Sequence, residues 1–250
     1  MQRESDLRTF IIALIVAALC SFLVSGAAVV LKPLQEKNKE LERKKNVLIA
    51  GGLMEEGTDV EKVFKSIDIV FADMKTGQKT EGSVDRYFNN FKQLSTGASS
   101  IDLSKKEDIA GIRSIPSKIP VFILRNSDGS LDKVIVPIYG SGLWSTMYGF
   151  LALESDLNTV SGITFYEHAE TPGLGGEIDN PRWKKSWEGK EIYENGEVAL
   201  SIVKGGAKGE HQIDSLSGAS LTSRGVENTI KFWMGDNAFG QFFENMKGGA

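Results

Sequence analysis

The sequence predicts an α+β protein in which an antiparallel sheet with few helices follows one N-terminal transmembrane helix. Three observations carry this: an uncharged run near the start, alternating strand-like runs joined by turn residues from residue 119 on, and a broad apolar helical face near the end. With 250 residues, 41% hydrophobic and 25% charged, the chain suits one globular domain plus an appendage. A net charge of -4, with no Lys/Arg cluster interleaved with aromatics, argues against a nucleic-acid partner.

Residues 10–31 read FIIALIVAALCSFLVSGAAVVL, twenty-two residues without a charge. As a helix rising about 1.5 Å per residue they cover about 33 Å, enough to cross a bilayer. A cleaved signal peptide competes, because Ser25-Gly26-Ala27 offers small residues to a signal peptidase, but the apolar run continues to Leu31 and favours a retained anchor. The expected organisation is a tail over residues 1–9, a span over 10–31, a helical stem over 32–50 closed by Gly51-Gly52, and a domain over 51–250. Lys32, Lys37, Lys39, Arg43, Lys44 and Lys45 follow the span and only Arg3 and Arg8 precede it, so the charge count alone places the domain in the cytoplasm. Glu36, Glu40 and Glu42 dilute that run in an i,i+4 pattern, and the charge rule is weak for long translocated domains.

Residues 55–117 mix helical patches, such as 59–67, with polar stretches and carry no recognisable chemistry. Residues 121–124 and 133–139, around the turn 126–130, form a first hairpin, and residues 148–154 and 159–167 a second. Another strand is expected over 197–204, and a helix after Thr222 with Leu221, Val226, Ile230 and 232–234 on its apolar face, stopping at Gly235.

Cys20 is the single cysteine, so no intrachain disulfide or CxxC pair can form; it reads as a small hydrophobe in the apolar run. His168 and His211 are far apart without an HExxH-like pattern and read as structural or surface residues, and no metal site is expected. GxSxG is absent and neither histidine has a catalytic context, which argues against a hydrolase.

Three segments remain. Residues 214–223, DSLSGASLTS, put small and hydroxylated residues before a helix, where unpaired N–H groups and the helix dipole suit a phosphate; a plain N-cap reads the same way. Residues 170–176, ETPGLGG, form a Gly-rich loop that lets backbone approach a flat ligand, though such turns are also common between strands. Residues 140–150, GSGLWSTMYGF, place Trp144, Met147 and Tyr148 either as a stacking surface or as ordinary core.

Taken in order, Gly142-Leu-Trp-Ser145, Glu170-Thr-Pro-Gly-Leu-Gly-Gly-Glu177, Asn180-Pro181 with Trp183, Val203-Lys-Gly-Gly-Ala207, Ser217-Gly-Ala219 and Phe232-Trp-Met-Gly235 resemble the C subunit of the sodium-translocating NADH:quinone oxidoreductase over nearly the whole chain. The G subunit of the ion-pumping Rnf complex shares the same kind of domain. The resemblance implies an FMN-binding domain that relays electrons, held in the bacterial inner membrane by one span with the domain extracytoplasmic, alongside the other subunits of the complex. It also implies covalent FMN, linked through its phosphate by a flavin transferase to a threonine after Ser-Gly-Ala. Here that position is Ser220, which keeps the hydroxyl, and Thr222 is the fallback acceptor. The residues expected around the cofactor are Ser217, Gly218, Ala219, Ser220, Leu221, Thr222, Trp144, Glu170, Thr171, Gly173, Leu174, Gly175 and Lys204. A tethered structural or binding module that has lost its flavin with the Thr-to-Ser change is the rival from another class.

Overall fold

The computed structural model describes residues 6–248 and divides into two compact units, residues up to 41 and residues from 42 on. Helix α1, Asp6–Ala50, runs unbroken through Pro33. Every side chain over residues 10–31 is exposed, and among the described residues this is the one helix long and apolar enough to cross a membrane. It stops at Ala50, where the amides of Gly51 and Gly52 turn back onto the carbonyls of Val47 and Ile49.

In the second unit the last turns of α1 are core: Val47 and Leu48 are fully buried. Next come α2 (Val60–Phe64), capped by the Asp59 carboxylate, then β1 (Asp68–Asp73), β2 (Lys79–Thr80), α3 (Val84–Asn89) and α4 (Phe91–Thr96). The strands β3 (Ser100–Asp102) and β4 (Ser114–Pro116) pair with each other. The long strands β5 (Lys118–Arg125), β6 (Leu131–Ser141), β7 (Thr146–Glu154) and β8 (Val160–Glu167) complete a six-stranded antiparallel sheet in the order β2-β1-β5-β6-β7-β8. The two expected hairpins are therefore four consecutive strands of this sheet, with β8 at its edge. Their register brings Phe122, Ile135, Ala152 and Gly162 into one row across four strands.

A 3-10 turn (Gly175–Asp179) and α5 (Pro181–Lys185) follow β8. Asn180 caps α5 by accepting from the Arg182 amide, with Pro181 in the first turn. Short pairs come next: β9 (Tyr193–Glu194) with β10 (Glu197–Val198), and β11 (Ser201–Val203) with β12 (Gln212–Asp214), the latter parallel. The single strand expected over 197–204 is thus two, each in a different pairing. The chain ends with α6 (Ser220–Met234) and α7 (Gly240–Gly248).

Helices cover both faces of the sheet. Tyr139 packs its ring 5.0 Å from Phe91 of α4, while the next residue, Gly140, lies so close to Thr229 of α6 that a Cβ would meet its hydroxyl. Strand β5 pairs with β6 only as far as Phe122 and Ile135, so β6 runs on beyond it, where the Ser141 amide donates to the Ala110 carbonyl. There the Trp233 indole N–H donates to the Tyr139 carbonyl at 2.7 Å, pinning the end of α6 to the sheet.

Candidate functional site

The site is built where β6, β7, β8 and the start of α6 converge. The loop between β6 and β7 carries Leu143 and Trp144, the chain leaving β8 carries Glu170, and β12 delivers residues 215–219 to α6. Glu170 ties these segments together. Only 4% exposed, its carboxylate accepts the Trp144 amide at 2.9 Å on Oε1 and the Thr222 hydroxyl on Oε2. Burial alone opposes a charge here, but the Thr222 hydroxyl and the backbone amides of Trp144, Leu143 and Ser145 outweigh it and hold the carboxyl below its ordinary range.

Two glycines make room for this carboxylate. A Cβ on Gly175 would lie 2.5 Å from Thr222 Oγ1 and 2.7 Å from Glu170 Oε2, and one on Gly142 would fall onto Glu170 Oε1. His168 steadies the loop from behind. The Glu170 amide donates to its Nδ1 at 3.2 Å, which leaves the ring proton on Nε2, facing Asp179 Oδ2 at 2.8 Å. The structural reading of His168 holds, with the difference that it braces the site.

Helix α6 begins at Ser220, three residues earlier than expected, with Ala219 at the cap position and no side-chain cap. Thr222 is therefore not the N-cap. It sits inside the first turn, 1% exposed, its hydroxyl committed to Glu170, because a buried carboxylate competes for the hydroxyl better than solvent does. With Ser223 as the first residue to donate back into the helix, to Ala219, the amides of 220–222 have no intrahelical acceptor. Gly218 supplies the positive φ of 72° that turns the chain into this start. Ser217, Gly218 and Ser220 are exposed and Ala219 is buried. Leu221, expected on the buried face, is 55% exposed, while Val226, Ile230, Phe232, Trp233 and Met234 are buried as expected. Once inside the helix, Leu221 lies about 140° around the axis from Val226 and about 180° from Ile230, and so faces outward.

Four large apolar side chains left exposed belong to these segments: Leu143 at 48%, Trp144 at 69%, Leu174 at 45% and Leu221 at 55%. Trp144 is thus a surface indole, whereas Met147 is fully buried and Tyr148 half-buried. Leu174 Cδ2 approaches Gly218, joining the Gly-rich loop to the segment before α6. Thr171 and Gly173 are exposed on that loop, where the Thr171 carbonyl accepts the amides of Leu174 and Gly176. A groove of about 470 Å³ opens beside Ser217, with Trp183 and Arg182 on one wall, residues 214–217 on the other and Gly173 at its edge. Trp183 is held there by its indole bond to the Asp214 carbonyl at 2.9 Å. Lys204 follows β11, whose partner β12 leads into the segment before α6; its side chain is exposed and makes no hydrogen bond or ion pair among the described residues.

The sequence singled out Trp144, Glu170, Gly175 and Thr222 separately, and the fold brings them into one cluster. Gly142, His168 and Ser145, whose hydroxyl accepts the Ala169 amide at 2.7 Å, belong to the same assembly and were not expected in it. An exposed hydroxyl at an uncapped helix start, beside a rim of apolar side chains, suits a ligand with a phosphate at one end and a flat apolar body.

Comparison with known proteins agrees with this arrangement. Residues 142–235 match the family model described as FMN-binding domain. The C subunit of the Na(+)-translocating NADH-quinone reductase of Pseudomonas aeruginosa is 43% identical over 99% of this chain and 98% of that protein. Its counterpart from Haemophilus ducreyi is 42% identical over 98% and 96%. Among solved structures, the crystal structure of Shewanella oneidensis NqrC is similar with a TM-score of 0.78 and 33% identity, over 85% of this chain and 99% of that one. The chain belongs to the NqrC family, the C subunits of the Na(+)-translocating NADH-quinone reductase.

Proposed function

We propose that this chain is a membrane-anchored, electron-carrying subunit that holds FMN through a phosphoester on Ser220 and works with the other subunits of a sodium-translocating NADH:quinone reductase. The observation that carries the reading is the exposed Ser220 hydroxyl at the uncapped start of α6, in a chain of this family. When bound, FMN accepts and releases electrons one at a time, and the protein sets its position and potential. The residues of the chain bind and orient. The amides of 220–222 and the helix dipole face the phosphate, Leu143, Trp144, Leu174 and Leu221 offer apolar surface to the ring, and the 170–176 loop borders it. Lys204 contributes positive charge beside the acceptor segment.

No base is hydrogen-bonded to the Ser220 hydroxyl among the described residues, so attachment calls for a flavin transferase. That enzyme removes the Ser220 proton as the Oγ–P bond forms and expels the leaving group of the flavin donor. Residues 10–31 form the span in the bacterial inner membrane, 1–9 a tail, 32–50 the stem, whose last turns pack into the domain core, and 51–250 an extracytoplasmic domain, against the local charge count.

The test is peptide mass spectrometry on protein made together with its flavin transferase. FMN less water is expected on Ser220, absent in Ser220→Ala and retained in Ser220→Thr. Flavin on Thr222, or a chain that stays dark on a denaturing gel, overturns the assignment, the second in favour of a flavin-free tethered module. For topology, external protease on spheroplasts digests the domain, and full protection places it in the cytoplasm.

A further inference from the structure

The donors gathered on Glu170 exceed what a loop needs to hold its shape. A carboxylate buried to 4% exposure costs far more than a neutral side chain of the same size, unless its charge serves a purpose or every lone pair is satisfied. Here each oxygen has a donor, the Thr222 hydroxyl of α6 on one and the Trp144 amide before β7 on the other, with the backbone of 143 and 145 adding to them and two glycines kept free of side chains to admit the group. The result is a fixed negative charge directly behind the first turn of α6, bonded two residues from Ser220.

We propose that Glu170 is a positioning residue for the cofactor on Ser220: it clamps the Trp144 loop to the α6 start, and its charge lowers the reduction potential of the attached flavin. This rests on the reading of Ser220 as the flavin acceptor. Reduction adds electrons to the ring, and a fixed anion nearby in a poorly solvated setting opposes that addition. The Thr222 hydroxyl and the backbone of 143–145 serve Glu170 while the amides of 220–222 face the phosphate, so the two anions are held by separate donors on adjoining segments. Glu170 touches no reacting atom in this scheme and acts through Thr222 and the backbone of Trp144.

Two substitutions separate charge from shape. Glu170→Gln keeps the outline and removes the charge, so the flavin potential shifts upward. Thr222→Val keeps the charge and removes one of its donors, so the less compensated carboxylate shifts the potential downward. A loosened site without an electrostatic role moves both variants the same way.

Potentiometric titration of the flavinylated full-length chain in detergent reads this directly, with Glu188→Gln, in the separate groove beside the end of α1, as a control that stays unshifted. In the flavin-free chain, hydrogen exchange at the amides of Leu143 and Trp144 accelerates in Glu170→Ala. Opposite shifts support the proposal. Shifts of one sign, or none, in a chain that carries flavin on Ser220 overturn it alone. Should Glu170→Gln fail to fold, Thr222→Val decides, a downward shift supporting the proposal and an unchanged or raised potential ending it. A wild-type chain without flavin on Ser220 overturns the underlying reading, and this proposal with it.

Discussion

The two sides of β6 are held by different physics. On the α4 side, Tyr139 stacks against Tyr148 at 5.7 Å and meets Phe91 edge-on at 5.0 Å, while Phe150 packs between Phe88, Phe122 and Tyr166. Burial pushes the phenols of Tyr87 and Tyr139 well above their ordinary range, so both stay protonated, and the charge beside this layer is the Arg43 guanidinium 5.5 Å from the Phe88 ring. The layer even leaves the Tyr139 hydroxyl without a partner among the described residues. At the site end, bulk gives way to Gly142, Gly175 and Gly225, and a buried carboxylate is met by a donor at each oxygen. Volume holds the first region and hydrogen bonds hold the second, so the two respond differently to substitution.

The largest effect belongs to the aromatic layer. Phe150→Ala, at a fully buried ring, is expected to cost about 3–5 kcal/mol, read by denaturant unfolding in detergent. A loss under about 1 kcal/mol would show that the layer collapses around the gap, and would break the contrast. Gly175→Ala comes next, at about 1–3 kcal/mol, because its Cβ must displace the Thr222 hydroxyl or the Glu170 carboxylate. It should lower flavin occupancy as well as thermal stability, which Phe150→Ala does only in proportion to unfolding.

Acid sharpens the comparison further. The folded Glu170 pKa lies below its unfolded value, so its contribution is complete above about pH 4.3, the ordinary glutamate value, and is lost as pH falls through the folded value. Stability of the wild type should therefore decline with acid in that window more steeply than that of Glu170→Gln, and parallel curves would mean that the carboxylate is not held ionised. The smallest effect is Leu221→Ala. At 55% exposure it should change stability by less than about 0.5 kcal/mol while altering flavin fluorescence, and a large loss of stability would return Leu221 to the core face of α6.

The same division decides what was readable from the sequence. Alternation and turn residues located both hairpins, and Gly51-Gly52 marked the end of α1, because these patterns are local. Strand β1 escaped, since DIVFAD is a short run within a polar stretch whose partner β5 lies some fifty residues on. The small helices α5 and α7 are too short for their periodicity to stand out. At the site, residue types in order led to segments that the fold brings together, yet the bond between Glu170 and Thr222 spans 52 residues and has no local signature. Thr222 read as a cap because Ser and Thr before a helix usually are; the competing carboxylate could be found only in three dimensions.

Helix α6 is fastened at both ends. Its first turn is held through Thr222, and its last through the Trp233 indole bonded to the Tyr139 carbonyl of β6. A fifteen-residue rod secured in this way, about 22 Å long, can neither pivot nor slide without breaking a buried contact. Whatever is mounted on its exposed first residue inherits the stiffness of the sheet, and any reach the site has must come from the mounted group and from the chain on which the whole domain is carried.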